Sequence, residues 1–190
     1  VEEVIYKYAI FLKRTKKNNT YYINLILNKY NNTKSASLIY YKTAIRAYNI
    51  RKYKKAEYNF SKYLDGKYSD YRSEVYYKRI ICLYKLKRYS SVIKEIKGVK
   101  APLLNLVQWK QLQILLIRSQ FKIKNFIFVY NYFDIFKIKQ YKNNDLIIFL
   151  KSCLFVNDIK SAYEIADFLK RSKLHYTQSL FLIGDYYFLK

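Results

Sequence analysis

YYKTAIRAYNIRKYKKAEYNFSKYL, residues 40–64, aligns without a gap with YYKRIICLYKLKRYSSVIKEIKGVK, residues 76–100. Both stretches open with Tyr-Tyr-Lys and carry a tyrosine at the ninth position, and they lie 36 residues apart. Their apolar residues recur at helical spacing, and few helix breakers interrupt them. A fixed self-similarity of this length is typical of proteins built from repeated helix pairs. These residues therefore predict an array of helices.

The composition supports a helical fold. The chain has 190 residues, of which 52% are hydrophobic, and it contains only three glycines and one proline. Strands joined by tight turns need more of these two residues, so long helices are favoured. We expect an all-α protein of about eleven helices. No apolar run reaches the roughly 18 residues that a membrane span needs, although an anchor on a flanking segment stays open. The compartment also stays open, between the cytoplasm and a bacterial periplasm or cell envelope.

The net charge of +24, from 37 Lys/Arg against 13 Asp/Glu, suits an acidic partner protein, nucleic acid or anionic lipid. The cations are scattered over helical positions, however, and they form no aromatic-interleaved RNA-binding motif. Abundant lysine, asparagine, isoleucine and tyrosine are also typical of an AT-rich genome. We therefore expect another protein or peptide, with acidic groups, as the partner, and we do not expect nucleic acid.

A small residue followed four positions later by an aromatic residue marks the second helix of the first stretch, as Ala56 and Phe60. Ala44 supplies a small residue in the preceding helix. The positions equivalent to Ala56 in later stretches are Val92, Val129 and Ala162, at spacings of 36, 37 and 33 residues. Small side chains at these positions let two crossing helices approach closely. This pattern resembles the tetratricopeptide repeat family over residues 36–189.

The resemblance implies a right-handed α-solenoid of antiparallel helix pairs. Its repeats would cover about 36–70, 71–106, 107–142 and 143–172, with a partial repeat at 173–190. In that last part, Ile183-Gly184 and Tyr187 match the family's Leu-Gly-x2-Tyr pattern. Residues 1–35, with predicted helices at 4–13 and 20–30, would form a diverged helix pair or an N-terminal cap.

In the tetratricopeptide family, the first helix of each pair lines a concave groove that takes peptides. The resemblance places mainly aromatic residues at groove positions here, with two flanking cations. Aromatic side chains offer a large contact area and lose little conformational entropy on binding. A competing interpretation is that 24 tyrosines produce aromatic stripes in any core or surface. The expected protein-binding residues are Tyr41, Tyr48, Tyr77, Tyr84, Arg118, Phe121, Lys151, Phe181 and Phe188.

The sequence offers no pattern typical of a catalytic or metal site. His175 is the only histidine and stands at a predicted helix start without a nearby nucleophile. Cys82 and Cys153 fall in first helices two repeats apart, and we expect them to be separate buried thiols. We therefore expect no catalytic residues, no cofactor and no metal ligands.

We predict a non-enzymatic scaffold that binds another protein through an aromatic concave groove and an exposed end. Two alternatives remain open. One is the helical-superhelix portion of a larger enzyme, as in bacterial lytic transglycosylases. The other is a basic RNA-binding helical repeat.

The substitution Ala56→Leu tests the assigned register. Overpacking of the predicted helix crossing should lower the free energy of unfolding by about 1 to 3 kcal/mol. Urea denaturation followed by circular dichroism measures the change. A variant as stable as the wild type would show that the register is wrong.

Overall fold

The chain is all-α, as the sequence predicts. The computed structural model describes residues 1–68, 70–99, 104–133 and 138–189. In these ranges there are eleven α-helices, two short 3-10 turns at Ile138–Gln140 and Leu169–Arg171, and no β-strand. The helices are α1 Glu2–Arg14, α2 Thr20–Lys29, α3 Lys34–Asn49, α4 Tyr53–Asp65, α5 Arg72–Lys85, α6 Tyr89–Lys97, α7 Leu106–Lys122, α8 Phe126–Phe133, α9 Asn143–Phe155, α10 Ile159–Phe168 and α11 Lys173–Phe188.

The helices fall into two compact units. The first unit comprises Val1–Arg88 and Gly98–Leu112, and the second comprises Tyr89–Lys97 and Gln113–Lys190. In the first unit, each of the helices α1 to α4 packs against the next, and α3 also touches α1 and α5. In the second unit, α9 packs against α8, α10 and α11, and α10 touches α11.

Five helices, α1, α3, α5, α7 and α9, end in the same way. The second residue after each helix has a left-handed backbone with φ between 57° and 67°. These residues are Lys16, Arg51, Lys87, Lys124 and Asn157, at intervals of 35, 36, 37 and 33 residues. After α3, the Arg51 N–H donates to the Tyr48 carbonyl at 2.9 Å, and the next N–H donates to the Ala47 carbonyl at 2.8 Å. This pair of hydrogen bonds is the Schellman motif, and it satisfies carbonyls that the helix end leaves without partners.

None of these five left-handed positions holds glycine. A left-handed backbone costs a residue with a Cβ atom about 1 to 2 kcal/mol, and asparagine tolerates it better than lysine or arginine does. After α1, α3 and α9 the conformation persists because the helix that follows the turn packs on the helix before it.

The small positions assigned from the sequence lie in the core. Ala44, Ala56, Val92, Val129 and Ala162 are each 0% exposed. In the first unit, Ala44 and Ala56 pack with Phe60, Tyr63 and Val75, among other core residues. In the second unit, Val129 and Ala162 share a cluster with buried residues of α9.

Gly184 of α11 differs from these small positions. A Cβ atom added at Gly184 would meet no described atom within 4 Å. Gly184 matches the family pattern, but no close helix contact among the described residues requires a glycine there.

A membrane-spanning helix is absent from the described part of the chain, because no helix there is both long enough and apolar enough.

The strain at the left-handed positions predicts that Lys87→Gly stabilises the protein. Glycine adopts positive φ without steric cost but has more freedom in the unfolded chain, so the net gain should be up to about 1 kcal/mol. Chemical denaturation measures the change. As a control, Lys110→Gly inside α7 should lower stability by about 1 kcal/mol. A loss of stability in both variants would contradict the role assigned to the Lys87 backbone.

Candidate functional site

The predicted groove residues of the first unit lie on α3 and α5, where they contact neighbouring helices. The Tyr41 ring stacks on Tyr71 with a centroid distance of 4.2 Å and an interplanar angle of 8°. Its hydroxyl donates a hydrogen bond of 2.8 Å to Oε2 of Glu74 on α5. Tyr41 thus connects α3 to α5, and part of its side chain remains exposed.

Tyr48 and Tyr77 make comparable contacts. Tyr48 meets the Phe60 ring edge-on at 6.3 Å, and the Lys78 ammonium lies 4.8 Å from the Tyr48 ring centre. This distance is within the range of a cation–π interaction. The Tyr77 hydroxyl donates to Oε1 of Gln111. Tyr84, on α5, is half-buried and also makes contacts of its own.

The environment of these tyrosines favours their neutral form. Burial, followed by the hydrogen bond to Glu74, raises the pKa of Tyr41 to about 12. Burial likewise raises the pKa of Tyr48 and of Tyr77. A phenol in such surroundings acts as a hydrogen-bond donor and an apolar surface, and it does not act as a base near neutral pH.

Arg118, predicted as a cation flanking the groove, forms an ion pair within the second unit. Its Nε lies 2.6 Å from Oδ1 of Asp145, and its Nη2 lies 2.9 Å from Oδ2. The Asp145 side chain is 2% exposed, whereas that of Arg118 is 29% exposed. The guanidinium therefore satisfies a buried carboxylate through a two-point contact.

The other predicted residues of the second unit differ in exposure. Phe121 packs edge-on against Phe126 at 5.3 Å, and Lys151 is half-buried on α9. Phe181 and Phe188 on α11 are 71% and 90% exposed. Leu174, seven residues before Phe181, is 75% exposed. These three apolar side chains lie two helical turns apart, so they share one face of α11.

A concave surface in the first unit, which the sequence did not predict, is lined by basic residues. Two adjoining cavities of about 400 and 350 Å³ share Lys13 of α1 and Lys42, Thr43 and Arg46 of α3. The first cavity also reaches two more lysines where α4 begins. We call this surface the basic trough, and its cations are Lys13, Lys42, Arg46, Lys52 and Lys55.

The two cysteines are buried in the protein, and the single histidine is held by hydrogen-bonding neighbours. Cys82 and Cys153 are thiols that form no disulfide with each other, and both are 0% exposed. Burial, and secondarily the Glu57 carboxylate, raises the pKa of Cys82 to about 12, so its reactive thiolate is scarce near neutral pH. His175 lies in the first turn of α11, where its Nδ1 is 2.7 Å from Ser172 Oγ and its Nε2 is 3.0 Å from Asn144 Oδ1. Within the described ranges, no three His, Cys, Asp or Glu side chains are grouped so that they could hold a metal ion.

Comparison with known proteins identifies no relative, since no family model, no curated protein and no solved structure matches the chain.

Sequence reasoning missed the Asp145 partner of Arg118 and the basic trough. The spacing of Lys42 and Arg46 places them on one helix face, and this was the only local signal of the trough. The contribution of Lys13 depends on how α1 packs beside α3. Asp145 lies 27 residues from Arg118, so only the tertiary structure reveals their pairing.

The Arg118–Asp145 pair predicts a large loss of stability for Arg118→Met. This change leaves a buried carboxylate without its partner, and it should cost about 3 kcal/mol, the low end of the usual range because Arg118 keeps some exposure. Urea denaturation measures the loss. The double variant Arg118→Met with Asp145→Leu removes the stranded charge and should recover part of the stability. A single variant within about 0.5 kcal/mol of the wild type would show that the pair is not needed.

Proposed function

We propose that this chain is a non-enzymatic helical repeat protein, a right-handed α-solenoid of tetratricopeptide-like pairs, and that it holds another protein. The recurrence of one helix-ending motif at Lys16, Arg51, Lys87, Lys124 and Asn157 supports the repeat. The packing within each unit also supports it. In the first unit α3 touches α4 and α5, and in the second unit α9 touches α10 and α11, which is the neighbour pattern of stacked helix pairs.

The repeat also extends to the N-terminus under this proposal. The turn after α1 has the same two hydrogen bonds as the later turns, with the Lys16 N–H donating to the Lys13 carbonyl and the Lys17 N–H to the Leu12 carbonyl. Residues 1–35 are thus better explained as a complete, diverged helix pair than as an unrelated cap.

The observation that carries the binding role is the exposed apolar face of α11. Leu174, Phe181 and Phe188 each expose at least 71% of their surface. Single exposed apolar residues are ordinary, but a row of large ones along a helix marks an interaction surface. Two of the three are phenylalanines, a residue type enriched at protein interfaces. The partner that fits is a polypeptide with a matching apolar row.

The groove residues of the first unit take a secondary role in this proposal. The side chains of Tyr41, Tyr48 and Tyr77 are partly buried by contacts with neighbouring helices. Their exposed edges remain available to a bound segment, and their fixed positions lower the entropic cost of binding.

The double variant Phe181→Ser with Phe188→Ser tests the proposal. The tagged protein is purified from its native cells, and the partner is identified by mass spectrometry and then produced separately. Size-exclusion chromatography with light scattering should show a stoichiometric complex at about 0.5 M salt, because apolar contacts resist ionic screening. The variant should weaken binding by at least tenfold, or about 1.4 kcal/mol, as expected for aromatic anchors.

Lys160→Ser with Glu164→Ser is the matched control, since both residues are exposed on a different helix of the same unit, α10. This control should keep the wild-type affinity. Equal weakening in both variants would show that the α11 face is not the contact. A complex that disappears entirely at about 0.5 M salt would instead indicate a charge-driven interaction and overturn the proposed apolar contact.

A further inference from the structure

The basic trough concentrates positive charge in a concave surface. Lys13 comes from the last turn of α1, Lys42 and Arg46 come from α3, and Lys52 and Lys55 come from the start of α4. None of the described residues that line its two cavities is acidic. A concave wall of one charge sign strengthens the local potential and attracts ligands of the opposite sign.

These cations are available to a ligand. Within the described residues, the side chains of Lys13, Arg46, Lys52 and Lys55 form no ion pair and no hydrogen bond, and all four are exposed. Lys42 donates a hydrogen bond of 2.9 Å to the Tyr6 hydroxyl, which is a neutral group and leaves the lysine charge uncompensated.

Two acidic residues elsewhere in the first unit, Glu57 and Glu74, have basic partners outside the trough. Glu57 of α4 is held by Arg79 at 3.4 Å and Arg88 at 3.6 Å. Glu74 pairs with Lys78 at 3.5 Å. The charge of the trough is therefore not balanced by these carboxylates.

Between the cations, the trough has an aliphatic lining. Ile10, Ile23 and Ile39 line one cavity, and Ala47 and Ile50 line the other. Ile50 is 56% exposed. The surface thus combines cations with apolar contact area, which suits a ligand that alternates acidic and aliphatic groups.

We infer that the basic trough binds an acidic, aliphatic-containing peptide segment of a partner protein. This inference rests on the proposed protein-binding function and names the partner's chemistry, but it does not depend on the apolar face of α11. Glutamate or aspartate carboxylates of the segment would pair with Arg46 and the lysines, and its aliphatic side chains would lie on the isoleucines.

A peptide fits this surface better than a nucleic acid strand does. Single-stranded nucleic acids are held mainly by bases that stack on exposed aromatic rings. The one aromatic side chain among the described lining residues is Tyr6, which is half-buried and bonded to Lys42. Isoleucine side chains offer bases no comparable stacking surface.

The length of α3 sets the size of the probe. The helix has 16 residues, so it is about 24 Å long. An extended peptide of about eight residues spans a similar distance. The test uses a fluorescein-labelled peptide of about this length in which half of the residues are glutamate and the rest are isoleucine and serine. Binding to the whole chain is measured by fluorescence anisotropy in about 0.1 M salt.

The informative variant is Lys13→Gln with Arg46→Gln. Both residues line both cavities and neither has a partner among the described residues, so the fold should be retained, as circular dichroism will show. The matched control is Lys62→Gln with Lys85→Gln, which removes the same charge from the last turns of α4 and α5. We expect the trough variant to weaken binding by about tenfold and the control to weaken it by less than about threefold.

Three results would overturn the inference. The first is that the wild type fails to bind the peptide, and the second is that the two variants weaken binding equally. The third is that an oligouridylate of similar length binds more tightly than the peptide through the same cations. The double variant at Phe181 and Phe188 should bind the peptide as the wild type does. If that variant loses the partner complex but still binds the peptide, both proposed sites are supported. Because the two measurements are independent, either proposal can fail without the other.

Discussion

The fold depends on the way in which α1, α3, α5, α7 and α9 end. In each case a residue with positive φ ends the helix and turns the backbone. The helix that follows can then pack with its buried small position against its neighbours, as Ala56 and Ala162 show. Lysine, arginine or asparagine fills the strained position, so burial of the second helix must offset the backbone cost. Local conformation and tertiary packing are therefore coupled after α1, α3 and α9, where the next helix packs on the one before it.

Tyrosine and lysine, the two residue types that give this chain its unusual composition, are used selectively. Tyr41 fixes α3 to α5 through a stacked ring and a hydrogen bond to Glu74. Many lysines lie on exposed helical positions, yet Lys13, Lys42, Lys52 and Lys55 gather with Arg46 at one concave surface. Codon bias can explain how many such residues the chain contains, but it does not explain why the lining of this surface lacks described acidic residues.

The helices could be predicted well from the sequence because the residue patterns that indicate a helix lie within the helix itself. Apolar spacing and small residues such as Ala56 predicted the helix class and the buried positions. The left-handed backbone in the turns after the first helices escaped prediction, because Lys16, Arg51 and Lys87 are residues that rarely adopt positive φ. The candidate site was less predictable, since exposure is a tertiary property. Phe181 remains exposed, whereas Arg118 meets a carboxylate that is distant in the chain.

One buried thiol lies in each compact unit, Cys82 in the first and Cys153 in the second. A thiol held away from solvent is alkylated only when the structure around it opens. The chain therefore carries two native reporters of local opening, and no label has to be engineered into it. Equal modification rates at both cysteines across a denaturant series would mean that the two units unfold as one cooperative body. Unequal rates would give the order in which they open.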